Sequence, residues 1–136
     1  MRWGDVVKAV MAETVADTVL TGIFTAAGIR KAGVHEWLIP SMEYTLISDT
    51  VTELWAPHVI QFDLFTETLE DLETAERQIG RLFNRERPQT IQGVYMWCTY
   101  IDGQDLIGPV REAHYGRALR YEFTPFRERR VEGLPV

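Results

Sequence analysis

Three histidines, one cysteine and two clusters of neighbouring carboxylates are the residues of this 136-residue chain with an obvious capacity for bond chemistry. His35, His58 and His114 stand far apart, and no His-x-x-x-His or Cys-x-x-Cys spacing puts two metal ligands on one face. Cys98, between Trp97 and Thr99 in an apolar run, reads as a small core hydrophobe rather than a nucleophile. As the only cysteine it excludes an internal disulfide framework. The pairs Glu70/Asp71 and Glu73/Glu76 fall in the first turns of a helical pattern, where compensation of the helix dipole accounts for them. A glycosidase-like pair would have to face a cleft, and nothing in the pattern asks for one. No nucleophile elbow, Walker loop or dinucleotide fingerprint is present; Gly103 and Gly108 are isolated turn glycines.

Charge patterning points elsewhere. Arg77, Arg81 and Arg85 recur at i, i+4 and i+8, the spacing of one row on a helix, where like charges repel by about 0.2–0.5 kcal/mol per pair. An acidic surface on a neighbour would compensate them; relief by Glu73, one turn before Arg77, is the plainer reading. Arg127, Arg129 and Arg130 follow the last predicted strand as a tail or docking arm. Trp55 sits in a long connection, as an exposed protein–protein anchor or packed on the sheet. Residues 1–76 carry four Lys/Arg and thirteen Asp/Glu, and residues 77–136 carry ten and seven, so the halves are −9 and +3. A subunit acidic on one side and basic on the other can meet a copy of itself head to tail, a contact that closes into a ring. An acidic-to-basic helix followed by a basic tail gives the same asymmetry without assembly.

These residues must be positioned by the elements around them. A helix is expected over Asp5–Thr21, with Val7, Met11, Val15 and Val19 as its stripe, Val6 and Val10 alongside, Asp5 as N-cap and Gly22 just past its end. After a connection from Gly22 to about Val34, Met42, Tyr44 and Leu46 alternate with Glu43 and Thr45 as a strand. A Ser48-Asp49-Thr50 turn follows, and Ile60, Phe62 and Leu64 alternate with Gln61 and Asp63 in a second strand, the pair forming an antiparallel hairpin. A second helix is expected from Thr68 to Arg87, ended by Pro88, with Leu69, Leu72, Ile79, Leu82 and Phe83 on its apolar face. Val94–Ile101 reads as a strand covered on both faces, with Asp102-Gly103 as its exit turn. In Arg117–Thr124, Leu119, Tyr121 and Phe123 point inward. The expected class is α+β, a four-stranded, mostly antiparallel sheet with two main helices on one face, in the order α-β-β-α-β-β.

Composition fits one soluble domain over residues 1–136. Apolar residues are 46%, charged residues 25%, and the net charge of −6 disfavours a surface that coats nucleic acid. At this length roughly 70% of the unfolded surface is buried on folding, enough for one core without staples. No apolar run reaches membrane-spanning length and the first residues lack a signal-peptide core, so a soluble cytoplasmic product is expected.

Several stretches carry a resemblance. Ile39-Pro40-Ser41-Met42-Glu43-Tyr44 leads into Ile47-Ser48-Asp49; Val59-Ile60-Gln61-Phe62-Asp63-Leu64-Phe65 runs into the helix holding Ala75, Ile79 and Leu82; and His114-Tyr115-Gly116-Arg117-Ala118-Leu119-Arg120-Tyr121-Glu122-Phe123 closes the pattern. In order and spacing this resembles the tail-terminator (tail-completion) proteins of long-tailed bacteriophages and of phage-derived gene transfer agents. It covers roughly residues 37–126; the N-terminal helix (about 5–21) matches in type alone, and the basic extension 127–136 departs from the pattern.

The resemblance implies a ring, typically a hexamer, that caps the head-proximal end of the tail tube in the virion, stops its polymerisation and docks the capsid neck. Its partners would be copies of itself, the tube protein and a neck or head-closure protein. DNA would pass through an acidic pore without specific binding. No cofactor, catalysis or membrane is implied, and assembly would take place in the host cytoplasm. On this reading Arg77, Arg81, Arg85 or Arg117 meets Glu43, Glu53 or Asp63 of the next subunit, while Trp55, Arg127, Arg129 and Arg130 dock partners. Another neck adaptor, or a ferredoxin-like enzyme or ligand-binding module with a closed apolar pocket, are the alternative expectations.

Overall fold

Alternating apolar residues in two long strands build the centre of the structure. The computed structural model describes residues 3–33, 40–47, 57–106 and 115–126. Along the chain these form α1 (Trp3–Ala16), α2 (Thr18–Phe24), β1 (Ile29–Lys31), β2 (Ser41–Leu46), β3 (His58–Thr66), α3 (Leu69–Phe83), β4 (Gln89–Ile91), β5 (Val94–Leu106) and β6 (Tyr115–Pro125). The strands make one sheet in the order β1-β2-β3-β6-β5-β4, which curls into a half barrel. All neighbours are antiparallel except β1 and β2, which are parallel.

The four-stranded, two-helix sheet expected from the sequence is therefore corrected to six strands in a mixed sheet with three helices. Both additional strands are three residues long, too short for a period of two to be seen. β1 lies within the stretch read as a connection. Gly28 lets α2 turn directly into it, because a Cβ there would stand 2.0 Å from the Phe24 carbonyl oxygen. β4 joins β5 through Gln92 (φ 49°) and Gly93 (φ 85°), the left-handed pair that closes a two-residue hairpin.

The single N-terminal helix is corrected as well. Asp17 breaks it: its backbone is extended, and its carboxylate accepts the Leu20 N–H at 2.9 Å, starting α2 afresh. Such a cap is worth about 1 kcal/mol. The other Asp17 carboxylate oxygen accepts from Gln78 Nε2 at 2.8 Å, which ties the break to α3. Asp5 lies inside the first turn of α1 rather than before it, and Gly22 lies within α2 rather than beyond its end. The buried stripe is Val6, Ala9 and Val10; Val7 and Met11 pack at its margin, and Val15 and Val19 are exposed.

In α3 the Thr68 hydroxyl caps the Asp71 N–H at 3.1 Å as its spacing suggests, but the helix stops at Phe83, well before Pro88. Side chains end it. Gln89 Nε2 donates to the Leu82 carbonyl at 2.7 Å, and Arg85 Nε donates to that of Arg81 at 3.1 Å, satisfying acceptors the last turn leaves open.

β5 differs most from its sequence reading. Met96 and Cys98 are buried, whereas Tyr95, Trp97, Tyr100 and Ile101 are exposed, so only one face of the strand is covered. The strand does not exit at Asp102-Gly103. It passes through a bulge between Tyr100 and Asp102 and continues to Leu106 beside β6. The bulge changes which residues face inward, so Gly103 falls opposite Leu119. A Cβ on Gly103 would stand 2.8 Å from the Tyr100 hydroxyl, so the residue that looked like a turn signal makes room for an aromatic side chain.

The core lies between α3 and the inner face of β3, β6 and β5. Met42, Ile60, Phe62, Leu64, Leu119 and Phe123 come from the sheet, and Leu72, Ala75, Ile79 and Phe83 from the helix. Phe83 stacks on Phe62 with centroids 6.0 Å apart and meets Phe123 edge-on at 5.3 Å.

Candidate assembly interface

The charged residues singled out from the sequence fall into two groups. Members of the first are engaged within the chain. Glu43 on β2 pairs across the sheet with Arg30 on β1, Nη2 to Oε2 at 3.3 Å, both side chains largely buried. Arg117 on β6 bridges two elements: it donates to Glu76 of α3 and, through Nε, to Asp105 of β5 at 2.9 Å. The hydrogen bond to Glu76 leads in raising its already high pKa. The triad clamps the helix to the far end of the β5–β6 pair. Nothing in sequence spacing announces it, since its members are 41 and 12 residues apart.

Asp63 lies mid-sheet between Glu43 of β2 and Ala118 of β6, accepting from Gln61 Nε2 at 2.8 Å. Burial raises its pKa, with the neighbouring Glu43 charge adding to the shift; the Gln61 hydrogen bond and Arg120 oppose it. The folded chain thus holds this proton more tightly than an unfolded one. Stability from Asp63 is fullest below its ordinary value of 3.8 and is lost as pH rises through the raised folded value. Asp63→Asn is accordingly expected to raise the melting temperature at neutral pH, with the gain shrinking towards zero in acid. Paired thermal melts across the acid-to-neutral range check this; a gain that persists unchanged below 3.8 contradicts it.

The second group is exposed. Arg77 and Arg81 lie on α3, and Arg85 lies two residues beyond its end, so the expected three-residue helical row is corrected to two on the helix and one on the following turn. With Arg87 they form a basic patch without an ion pair among the described residues. The opposite end of the same helix carries Glu70, Asp71 and Glu73, with Glu67 just before its cap; all are exposed except the part-buried Asp71. The outer surface of α3 is therefore a charge dipole as long as the helix. Glu53, Trp55, Arg127, Arg129 and Arg130 lie outside the described residues.

The residues examined for chemistry are spread out. Cys98 is buried, and desolvation pushes its thiol up to about 12, the state of an inert core residue. His58 is fully buried at the start of β3; His35 and His114 lie outside the described residues. Among the described residues no group of three or more His, Cys, Asp or Glu side chains is placed to hold a metal ion. Among the same residues no helix is long and apolar enough to cross a membrane.

The fold belongs to the two-layer α+β class in which a curled sheet carries its helices on one face. It is shared with a chain in the virion of a native gene transfer agent particle: the superposition covers 87% of this chain and 92% of that one, with a TM-score of 0.63 and 12% identity. A second solved chain superposes over 94% of this chain and all of its own length, with a TM-score of 0.56 and 13% identity. No protein-family model and no curated protein matches the sequence.

Proposed function

We propose that this chain is a structural subunit of a phage-like particle, a non-catalytic protein whose copies close into a ring, typically a hexamer, at the head-proximal end of a tail tube. The ring stops tube polymerisation and presents the surface on which the capsid neck docks. One observation carries the reading: nearly the whole chain shares its fold with nearly the whole of a gene transfer agent virion chain. The charge dipole along α3 supports it, because a heterologous ring needs complementary patches on two sides of one subunit. Arg77, Arg81 and Arg85 are the basic patch offered to the next copy, and the acidic start of α3 with Glu53 supplies the complement, Asp63 being engaged within its own sheet. The arginines at 127, 129 and 130 and Trp55 serve neck or tube contacts.

Light scattering of the purified protein, alone and mixed with its tail-tube protein, tests the proposal together with electron microscopy. Rings of several 15.7-kDa copies and tubes of limited, capped length are expected. Single 15.7-kDa particles at every concentration, beside tubes of unlimited length, would overturn it.

A further inference from the structure

Each charged end of α3 has exposed apolar side chains beside it. Leu69 stands 45% exposed in the first turn, among the open carboxylates of Glu70 and Glu73. It lines an open groove of about 220 Å³ together with Leu106 and Tyr115, bounded by Asp105 and by Arg117, which Glu76 and Asp105 already neutralise. Towards the other end, the α1–α2 elbow exposes Val15 and Val19, two residues on either side of Asp17. Hydrogen bonds join that elbow to the basic patch: Arg81 Nη1 donates to Gln78 Oε1 at 3.5 Å, and Gln78 Nε2 donates to Asp17 at 2.8 Å. The acids nearest the valines are engaged, Asp17 by Gln78 and Glu13 by Gln92. On the basic side Glu86 stands among four exposed arginines. One apolar spot therefore has an acidic rim and the other a basic one, and an apolar centre with a polar rim is the anatomy of a protein interface. The two spots lie on opposite flanks of α3, since Gln78 turns towards α2 and Glu76 towards β6.

We infer that the α1–α2 elbow of one copy seats Val15 and Val19 in the Leu69 groove of the next, while its Arg77 and Arg81 face that copy's Glu70 and Glu73. This rests on the ring reading proposed above and names its contact. A second copy is the partner because the chain itself supplies both members, a basic-rimmed and an acidic-rimmed apolar spot. None of these four charged side chains has an ion pair among the described residues, so each is open to a partner from outside. Elbow against elbow would oppose arginine to arginine, and groove against groove carboxylate to carboxylate, which like-charge repulsion disfavours. Lying on opposite flanks of one helix, the two spots cannot meet within a chain. Their contact is head to tail and repeats from copy to copy around a ring.

A Val19→Cys, Leu69→Cys double variant should give a ladder of covalent oligomers on mild oxidation, with the buried Cys98 unreactive and neither single variant passing a dimer. Charge exchange reads the rim. Arg81→Glu should raise the concentration for half-assembly roughly tenfold or more, and adding Glu70→Arg in the same chain should restore it. All four positions are exposed, so circular dichroism should stay native-like in every variant. Assembly of the parent without a ladder, or without rescue, would overturn this contact and leave the ring standing. A ladder that ends at a dimer would overturn its head-to-tail order. A parent that stays monomeric at every concentration would overturn both.

Discussion

Reversing Arg81 and Arg85 together to glutamate is expected to abolish ring assembly while leaving the far-ultraviolet circular dichroism native-like. Both side chains are exposed, and neither has a carboxylate at ion-pair distance among the described residues. Within the chain the losses are small. Arg85 gives up its bond to the Arg81 carbonyl, Arg81 a long 3.5 Å contact to Gln78, and two negative charges enter the C-terminal end of α3. An unfavourable charge at a helix end costs about 0.3–1 kcal/mol, a shift of a few degrees in melting temperature. Between copies the effect is larger. Close charge pairs across an interface couple by about 1.5–7 kcal/mol, and in the proposed ring reversal would convert attraction into repulsion at every contact. Sedimentation or light scattering should show monomer where the parent assembles, with partial recovery in high salt as screening removes the repulsion. Unchanged assembly would remove these arginines from the interface.

Phe83→Ala is expected to lower the unfolding free energy by about 3–5 kcal/mol, most of the margin of an ordinary domain. Phe83 is fully buried as the last residue of α3 and touches three aromatic rings. It stacks on Phe62 at 6.0 Å and lies edge-on to Phe123 at 5.3 Å and Tyr121 at 6.2 Å. Removing it opens a cavity where helix and sheet meet and leaves the partner rings without an opposing surface. Because rigid strands hold those rings, the site can collapse only in part. Urea titration measures the change as a lowered midpoint at unchanged slope, and Phe83→Leu should recover much of the loss. A cost under about 1 kcal/mol would mean that the core is centred elsewhere.

The two substitutions separate fold from assembly. One empties the core without touching the charged surface; the other inverts that surface without touching the core. On the proposed reading the subunit needs both, since binding to neighbours would add to the stability of each copy by mass action.

The residue pattern alone determined the inward faces of β3, β6 and α3, though not those of β5 or of the N-terminal helices. Ile60, Phe62 and Leu64 alternate with polar residues because one face of β3 is buried, and the register with Leu119 and Tyr121 of β6 follows the same period. Leu72, Ile79 and Phe83 recur at helical spacing because α3 lies on that face. The dipolar charge of α3 could likewise be read off, being local in sequence. Tertiary structure alone decided the rest. β1 and β4 are three residues long and exist because a neighbouring strand hydrogen-bonds to them, not through any propensity of their own. Asp17 could have passed for one more exposed acid on a long helix; its bonds to Leu20 and, 61 residues away, to Gln78 make it a break. Arg117, Glu76 and Asp105 become one clamp only once α3 lies across the β5–β6 pair. Periodicity records which side of an element meets the core, whereas pairings between distant residues depend on how the elements stack, and no local pattern encodes that.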